Sequence, residues 1–275
     1  MEWGMSMYLG FNLDTVKDFS QYKKRGEDIF NQQKNRIQTE LERYFYSGTT
    51  TINGKKLEED WFPQVKSNVF LSHSHNDLDE VLGIAGWLYE KFGLIAFIDS
   101  SIWGFSNELL RQIDDDYCYD KTNHMYDYNR RNYSTSHVHM MLSMALLKMV
   151  DRTEALIFIN TPNSISPVSE TIQQTTKSPW IYSELVFSNL IRKTQPSRKK
   201  YITRESTIFN EAKSLDIAYE VHQYLNNLIE LNDKNLDFWL KKHSENVVRG
   251  ENMHPLDCLY AQFNINSKPL KPVLG

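Results

Sequence analysis

At 275 residues, with 40% hydrophobic and 24% charged residues, the chain has the composition of an ordinary globular protein, long enough for one large domain with additions. Its formal net charge of −4 argues against a dedicated nucleic-acid binder, and its one basic run, Arg198-Lys199-Lys200, is short. No apolar run approaches the ~18 residues of a membrane span, and no basic-then-apolar leader opens the chain. Cys118 and Cys258 stand in no metal-ligand spacing, so free thiols in a reducing cytoplasm are expected.

In chain order, residues 1–47 read as a helical extension, polar from Thr15 onward, with Ile29, Ile37, Leu41, Phe45 and Tyr46 as recurring apolar positions. Asn53-Gly54 between β-formers predicts a hairpin over 49–57. Val69-Phe70-Leu71 and Leu94-Ile95-Ala96-Phe97-Ile98 are continuous apolar runs of the kind a doubly covered parallel sheet requires. Between them Leu78, Val81, Leu82, Ala85, Leu88, Tyr89 and Phe92 form one helical stripe. Asp77 and Glu80 serve as a capping pair, and Gly93 as the stop. The unit is βαβ, and its strand ends open a crevice that would hold the loop Ser72–Asn76 and the acid Asp99.

Ser100 to Phe105 then reads as a loop carrying Trp103, and a helix follows over about 107–117. The Asp-, Asn- and Tyr-rich stretch 115–135 reads as an inserted surface loop. A helix is expected from Ser136, a third buried strand at Ala155–Ile159, and a polar loop over 160–177. Ser178-Pro179 supplies the cap and first residue of the helix WIYSELVFSNLIRK. Tyr201–Thr203 and Leu215–Tyr219 are weak strand candidates, Leu225–Lys242 a C-terminal helix, and the tail after Gly250 irregular. The domain division expected is an extension over 1–61, an α/β domain over 62–245 and a tail over 246–275.

Two constellations carry chemistry. His73-x-His75-x-Asp77 after a strand is similar to the HxHxDH zinc motif of metallo-β-lactamases, but the last histidine of that motif is Leu78 here. A zinc hydrolase is therefore one alternative. The other constellation is Trp180-Ile181-Tyr182-Ser183-Glu184, a Trp and a Glu four apart at the start of the helix that follows the third strand. Alone that spacing is cheap. Its place beside the crevice gives it weight.

VFLSHSHND, an amphipathic helix, IAFID with an aromatic segment, ALIFINTPNS and SPWIYSEL together resemble the Toll/interleukin-1 receptor (TIR) domain over roughly 62–193. The resemblance implies a three-layer flavodoxin-like α/β fold with a parallel central sheet. It also implies cleavage of the nicotinamide–ribose bond of NAD+, with Glu184 of the WxxxE helix as catalytic residue. Ser72, His73, Asp99, Trp103 and Trp180 would line the substrate site. NAD+ is then substrate, and neither cofactor nor metal is required.

Stand-alone bacterial TIR proteins of this size resemble the TIR components of Thoeris-like anti-phage systems. That implies a cytoplasmic enzyme, self-assembly through TIR surfaces, and a separate effector that senses the product, with no nucleic-acid or membrane partner. A non-enzymatic TIR interaction module and a nucleoside deoxyribosyltransferase-like enzyme are further alternatives. The chemistry needs only one acid, because nicotinamide departs neutral and no general acid has to protonate it, unlike the alkoxide of an ordinary glycoside.

Overall fold

The computed structural model describes residues 7–34, 41–49, 51–62, 64–168, 174–196 and 218–263, with side chains 34, 42 and 101–104 left aside. In chain order its elements begin β1 (Leu9–Leu13), α1 (Lys23–Lys34), α2 (Gly54–Trp61), β2 (Val69–Ser72), α3 (Leu78–Phe92), β3 (Ala96–Ile98) and α4 (Ser100–Ile113). A hairpin of β4 (Tyr119–Asp120) and β5 (Met125–Tyr126) leads to α5 (Tyr128–Arg152) and β6 (Ala155–Ile159). There follow β7 (Thr175–Thr176), α6 (Pro179–Leu190), β8 (Tyr219–Glu220), α7 (His222–Leu225), β9 (Ile229–Leu231), α8 (Asp233–Val248) and α9 (Pro255–Tyr260).

Five strands form one parallel sheet in the order β3-β2-β6-β1-β9. Its side chains alternate between two cores, as a period of two demands. Phe11, Val69, Leu71, Ile98 and Ile157 face α3, α8 and α9. Phe70, Phe97, Leu156 and Phe158 face α2, α4, α5, α6 and α7. A parallel sheet covered by helices on both faces is the architecture expected, and it is compatible with a flavodoxin-like fold. The flavodoxin-like order is 2-1-3-4-5. Here the strands after residue 62 occupy slots 1, 2, 3 and 5, and the N-terminal strand fills the fourth.

That strand corrects the reading of residues 1–47 as a helical extension. Leu9–Leu13 is fully buried and pairs with β6 on one side and β9 on the other. The boundary drawn at residue 61 therefore cuts through a shared sheet. The hairpin expected at Asn53-Gly54 is also absent. The Asn53 side chain accepts the backbone N–H of Lys56 and caps α2, and the turn lies upstream, where Thr49 N–H meets the Tyr46 carbonyl beside Gly48 at φ 72°.

Helix α3 is buried on more than the one stripe expected, because α1 covers the side away from the sheet. The two helices approach at glycines. A Cβ on Gly26 would lie 1.8 Å from the Leu82 carbonyl oxygen, and one on Gly86 would lie 2.0 Å from the Tyr22 carbonyl oxygen. Gly93 ends α3 at φ 66°, as expected, donating its N–H to the Tyr89 carbonyl.

Elsewhere the boundaries move. The segment after Asp99 is helical from Ser100, so Trp103 lies within α4, and buried Phe105 is not an exposed loop aromatic. The stretch 115–135 is a π-turn (Asp114–Cys118), the small hairpin and the first turns of α5, which Asp127 caps and which starts at Tyr128, eight residues before the expected Ser136. The helix expected at 225–242 is interrupted by β9, and the tail contains α9, whose Pro255 carbonyl accepts the Trp239 indole N–H. Tyr201–Thr203 and most of 215–219 lie outside the described residues, although Tyr219 pairs with Thr176. Cys118 and Cys258 are free and buried. Among the described residues no helix is long and apolar enough to cross a membrane.

The glycine contacts set a test. Gly86→Ala places a methyl against backbone that cannot rotate away, and stability should fall by about 3 kcal/mol. That corresponds to a melting temperature lowered by roughly 6–12 °C in a thermal melt. An unchanged melt would mean that α1 does not pack on α3 at this distance.

Candidate functional site

The C-terminal ends of β2 and β3 converge on the N-terminal half of α6. The connection from β2 runs to β3 on one side of the sheet, while β6, its other neighbour, sends the chain onward to β9. Between β2 and β6 lies a topological switch point, where open α/β sheets bind ligands. The alternation of the strands then selects the side. Phe70 and Phe97 face the α4–α6 layer, and so do Ser72 and Asp99, two residues further along.

Helix α6 delivers the acid. Ser178 accepts the N–H of Ile181, Pro179 stands in the first turn, and Ile181, Glu184, Leu185 and Ser188 make the inward face. Glu184 Oε2 accepts the Ser72 hydroxyl at 2.6 Å. Next to it His73 Nδ1 lies 2.6 Å from Asp99 Oδ1, which also accepts the Ser100 N–H at 2.7 Å. The Leu71 carbonyl sits 3.4 Å from the same imidazole nitrogen. A carbonyl only accepts, so Nδ1 carries the proton and donates to Asp99.

Ser72, His73, Asp99 and Glu184 are all 0% exposed. Burial governs their charge. It pushes His73 down to about 4, against the pull of the Glu184 charge, so the imidazole is neutral near pH 7. It pushes Asp99 up to about 8, opposed by the hydrogen bonds that Asp99 accepts. Burial also raises Glu184 well above the usual carboxylate range, and the neighbouring Asp99 charge raises it further. Glu184 Oε1 and Asp99 Oδ2 meet no protein N–H or O–H donor. Two buried acids without a neutralising cation retain a proton between them. Asp99, the better supplied with N–H donors, ionises first as pH rises, and Glu184 keeps its proton longer.

Of the sequence-derived site residues, the structure brings Ser72, His73, Asp99 and Glu184 into one cluster. Trp180 stands apart from it, half-buried, with its ring edge-on to His139 on α5 at 5.6 Å. Nothing is described of the Trp103 side chain. The zinc constellation does not converge: His73 is buried against Asp99, and His75 is exposed. Asp77 turns to the β6 loop, accepting Thr161 Oγ1 and Asn163 Nδ2, both at 2.5 Å, instead of capping α3. Among the described residues no group of three or more His, Cys, Asp or Glu is placed to hold a metal ion.

Ser100 completes the cluster through its backbone N–H, a group nearly every residue has, so its side-chain type carried no signal in the sequence. No protein-family model, no curated protein and no solved structure matches the chain.

The retained proton makes stability depend on pH. Between about pH 4 and pH 8 the native chain holds a carboxyl proton that the unfolded chain has released, so stability falls as pH rises across that window. His73 acts oppositely. Its neutral burial contributes fully above its ordinary value of 6.5, and that contribution is lost as pH falls toward 4. The two offset below about 6.5, and above it only the acid pair remains. Glu184→Gln should therefore stabilise the fold at pH 8 by about 1–3 kcal/mol, and by less at pH 6. Thermal melts of both proteins at pH 6, 7 and 8 read this directly. A variant less stable than wild type at pH 8 would mean that the carboxylates are ionised and paired.

Proposed function

We propose that the chain is a TIR-domain NAD+ nucleosidase or ADP-ribose cyclase that cleaves the nicotinamide–ribose bond through Glu184. The observation that carries this reading is the buried Glu184 carboxyl on the WxxxE helix, held by Ser72 at the end of β2 beside the His73–Asp99 pair. The switch-point location and the sequence resemblance support it.

In this reading the bond between nicotinamide nitrogen and ribose C1′ breaks with its electron pair on the ring, and the cationic pyridinium leaves as neutral nicotinamide. The sugar passes through an oxocarbenium-like state. Ionised Glu184 stabilises that positive charge and holds the ribose hydroxyls. Water then adds to C1′ and gives its proton to the carboxylate, yielding ADP-ribose. If the substrate's own adenine adds instead, the product is cyclic, and exclusion of water decides between the two. No metal or cofactor takes part.

The protonated, sealed cluster is a resting form. Admission of a pyridinium cation and of solvent favours the ionised carboxylate, because both lower the cost of its charge. Turnover accordingly requires α4 or α6 to part from the strand ends. Self-assembly through TIR surfaces is a way to drive that motion. A cytoplasmic role in anti-phage defence, with the product read by a separate effector, completes the proposal.

The test is incubation of wild type and Glu184→Gln with NAD+, following nicotinamide release and product mass. Release should fall at least about 100-fold in the variant. A product one water lighter than ADP-ribose identifies cyclisation. Equal release from both proteins removes Glu184 from the mechanism, and no release from either favours the interaction-module reading.

A further inference from the structure

A second concavity lies outside the Glu184 cluster, between α2, the end of α4 with its π-turn, and the first turns of α5. Its volume of about 860 Å³ falls within the range of small-molecule sites, ~300–1,000 Å³. The floor is apolar, made by Leu57, Ile113 and Met141. Aromatic rings rim it. Tyr133 and His137, one helical turn apart on α5, meet edge to face at 4.4 Å, and both are exposed. Tyr117, also on the rim, packs edge-on against Phe45 at 6.2 Å.

One cation stands over this rim. Arg131 is occupied, its Nε 2.8 Å from an Asp114 carboxylate oxygen. Its neighbour Arg130 lines the cavity, donates one guanidinium hydrogen bond to the Tyr117 carbonyl at 3.3 Å, and forms no ion pair among the described residues. A guanidinium spared by its own acids, beside ring faces and an apolar floor, matches a ligand with a flat aromatic body and one anionic group. The π-turn that shapes one wall is a rare backbone form, frequent at functional sites.

We infer that this cavity is a binding site for a small planar aromatic anion, with Arg130 taking the anionic group and the Tyr133–His137 rim stacking on the ring. Nothing in the Glu184 chemistry uses it. One wall is nevertheless the end of α4, the helix whose first turn Asp99 caps.

The probe is 8-anilinonaphthalene-1-sulfonate, titrated into the folded full chain and read by fluorescence, beside its uncharged analogue N-phenyl-1-naphthylamine. The sulfonate should bind saturably. Arg130→Gln, an exposed helix position, should weaken it roughly 10-fold or more while leaving the melt unchanged. The uncharged analogue should bind more weakly and ignore that substitution. Gly54→Phe supplies a plug, since a Cβ there meets only Met141 Cε, at 3.6 Å, and it should abolish saturable binding. Glu184→Gln should leave binding intact, which separates this site from the NAD+ reading. Non-saturable binding, or equal affinity in wild type and Arg130→Gln, overturns the assignment. Failure of both probes overturns it in favour of a polypeptide-binding surface.

Discussion

A carboxyl pair buried without a cation is the constraint to which the strand ends answer. In a medium of low dielectric, two acids at 0% exposure cannot both ionise unless positive charge compensates them. What compensates here is dipolar: the Ser72 hydroxyl, the His73 Nδ1–H and the Ser100 N–H. These donors, with a proton shared between the two carboxyls, take the place of a cation. A structural cluster would be expected to carry an Arg or Lys partner, as Asp114 does with Arg131. No such partner stands here among the described residues, and in the proposed reading the positive charge arrives with the substrate.

Sheet topology makes the cluster unavoidable. Parallel pairing of β2 with β3 in register, Val69 opposite Ala96 and Leu71 opposite Ile98, brings the residues that end them side by side. β6 pairs along the other side of β2, and α6 buries Ile181 and Leu185 in the core on that same face. A slip of one residue in β2 would turn Ser72 to the other face and leave Glu184 without its donor. The N-terminal strand matters for the same reason. By filling the slot between β6 and β9 it keeps β6 an interior strand, and α6 rests against a continuous sheet rather than an edge.

The legible parts were those with long, unambiguous patterns. Continuous apolar runs identified β2, β3 and β6, and Ser-Pro ahead of an apolar helix identified α6. Those four elements are enough to assemble Ser72, His73, Asp99 and Glu184. The rest depended on competition that local sequence does not resolve. LGFNL is five residues with a glycine and an asparagine inside it, and only its neighbours β6 and β9 make it a strand. Asn53 serves equally in a hairpin turn and as a helix cap, and the packing of Leu57 and Trp61 into the core decides for the helix. Asp77 read as a cap because it precedes a helix, yet hydroxyl and amide donors from the β6 loop, more than eighty residues away, claim its side chain. The expected loop at 100–105 failed because Asp99 itself caps the helix that displaces it.

Retaining a proton on buried acids near pH 7 costs stability, and sites poised for charge are drawn from this kind of unfavourable arrangement. The opposite face of the sheet is closely packed: Gly26 and Gly86 let α1 and α3 approach to backbone contact, Gly83 admits Phe19, and Trp87 and Phe92 pack on Trp239 behind them. That side contains none of the four cluster residues. The α1–α3–α8 face and the α4–α6 face with its buried acids lie on opposite sides of one sheet, so the opening that the proposed reading requires falls on the second. In the proposed reading, motion there would change the solvation of Glu184 without loosening the sheet that positions Ser72 and Asp99, so one displacement would govern both access and acidity.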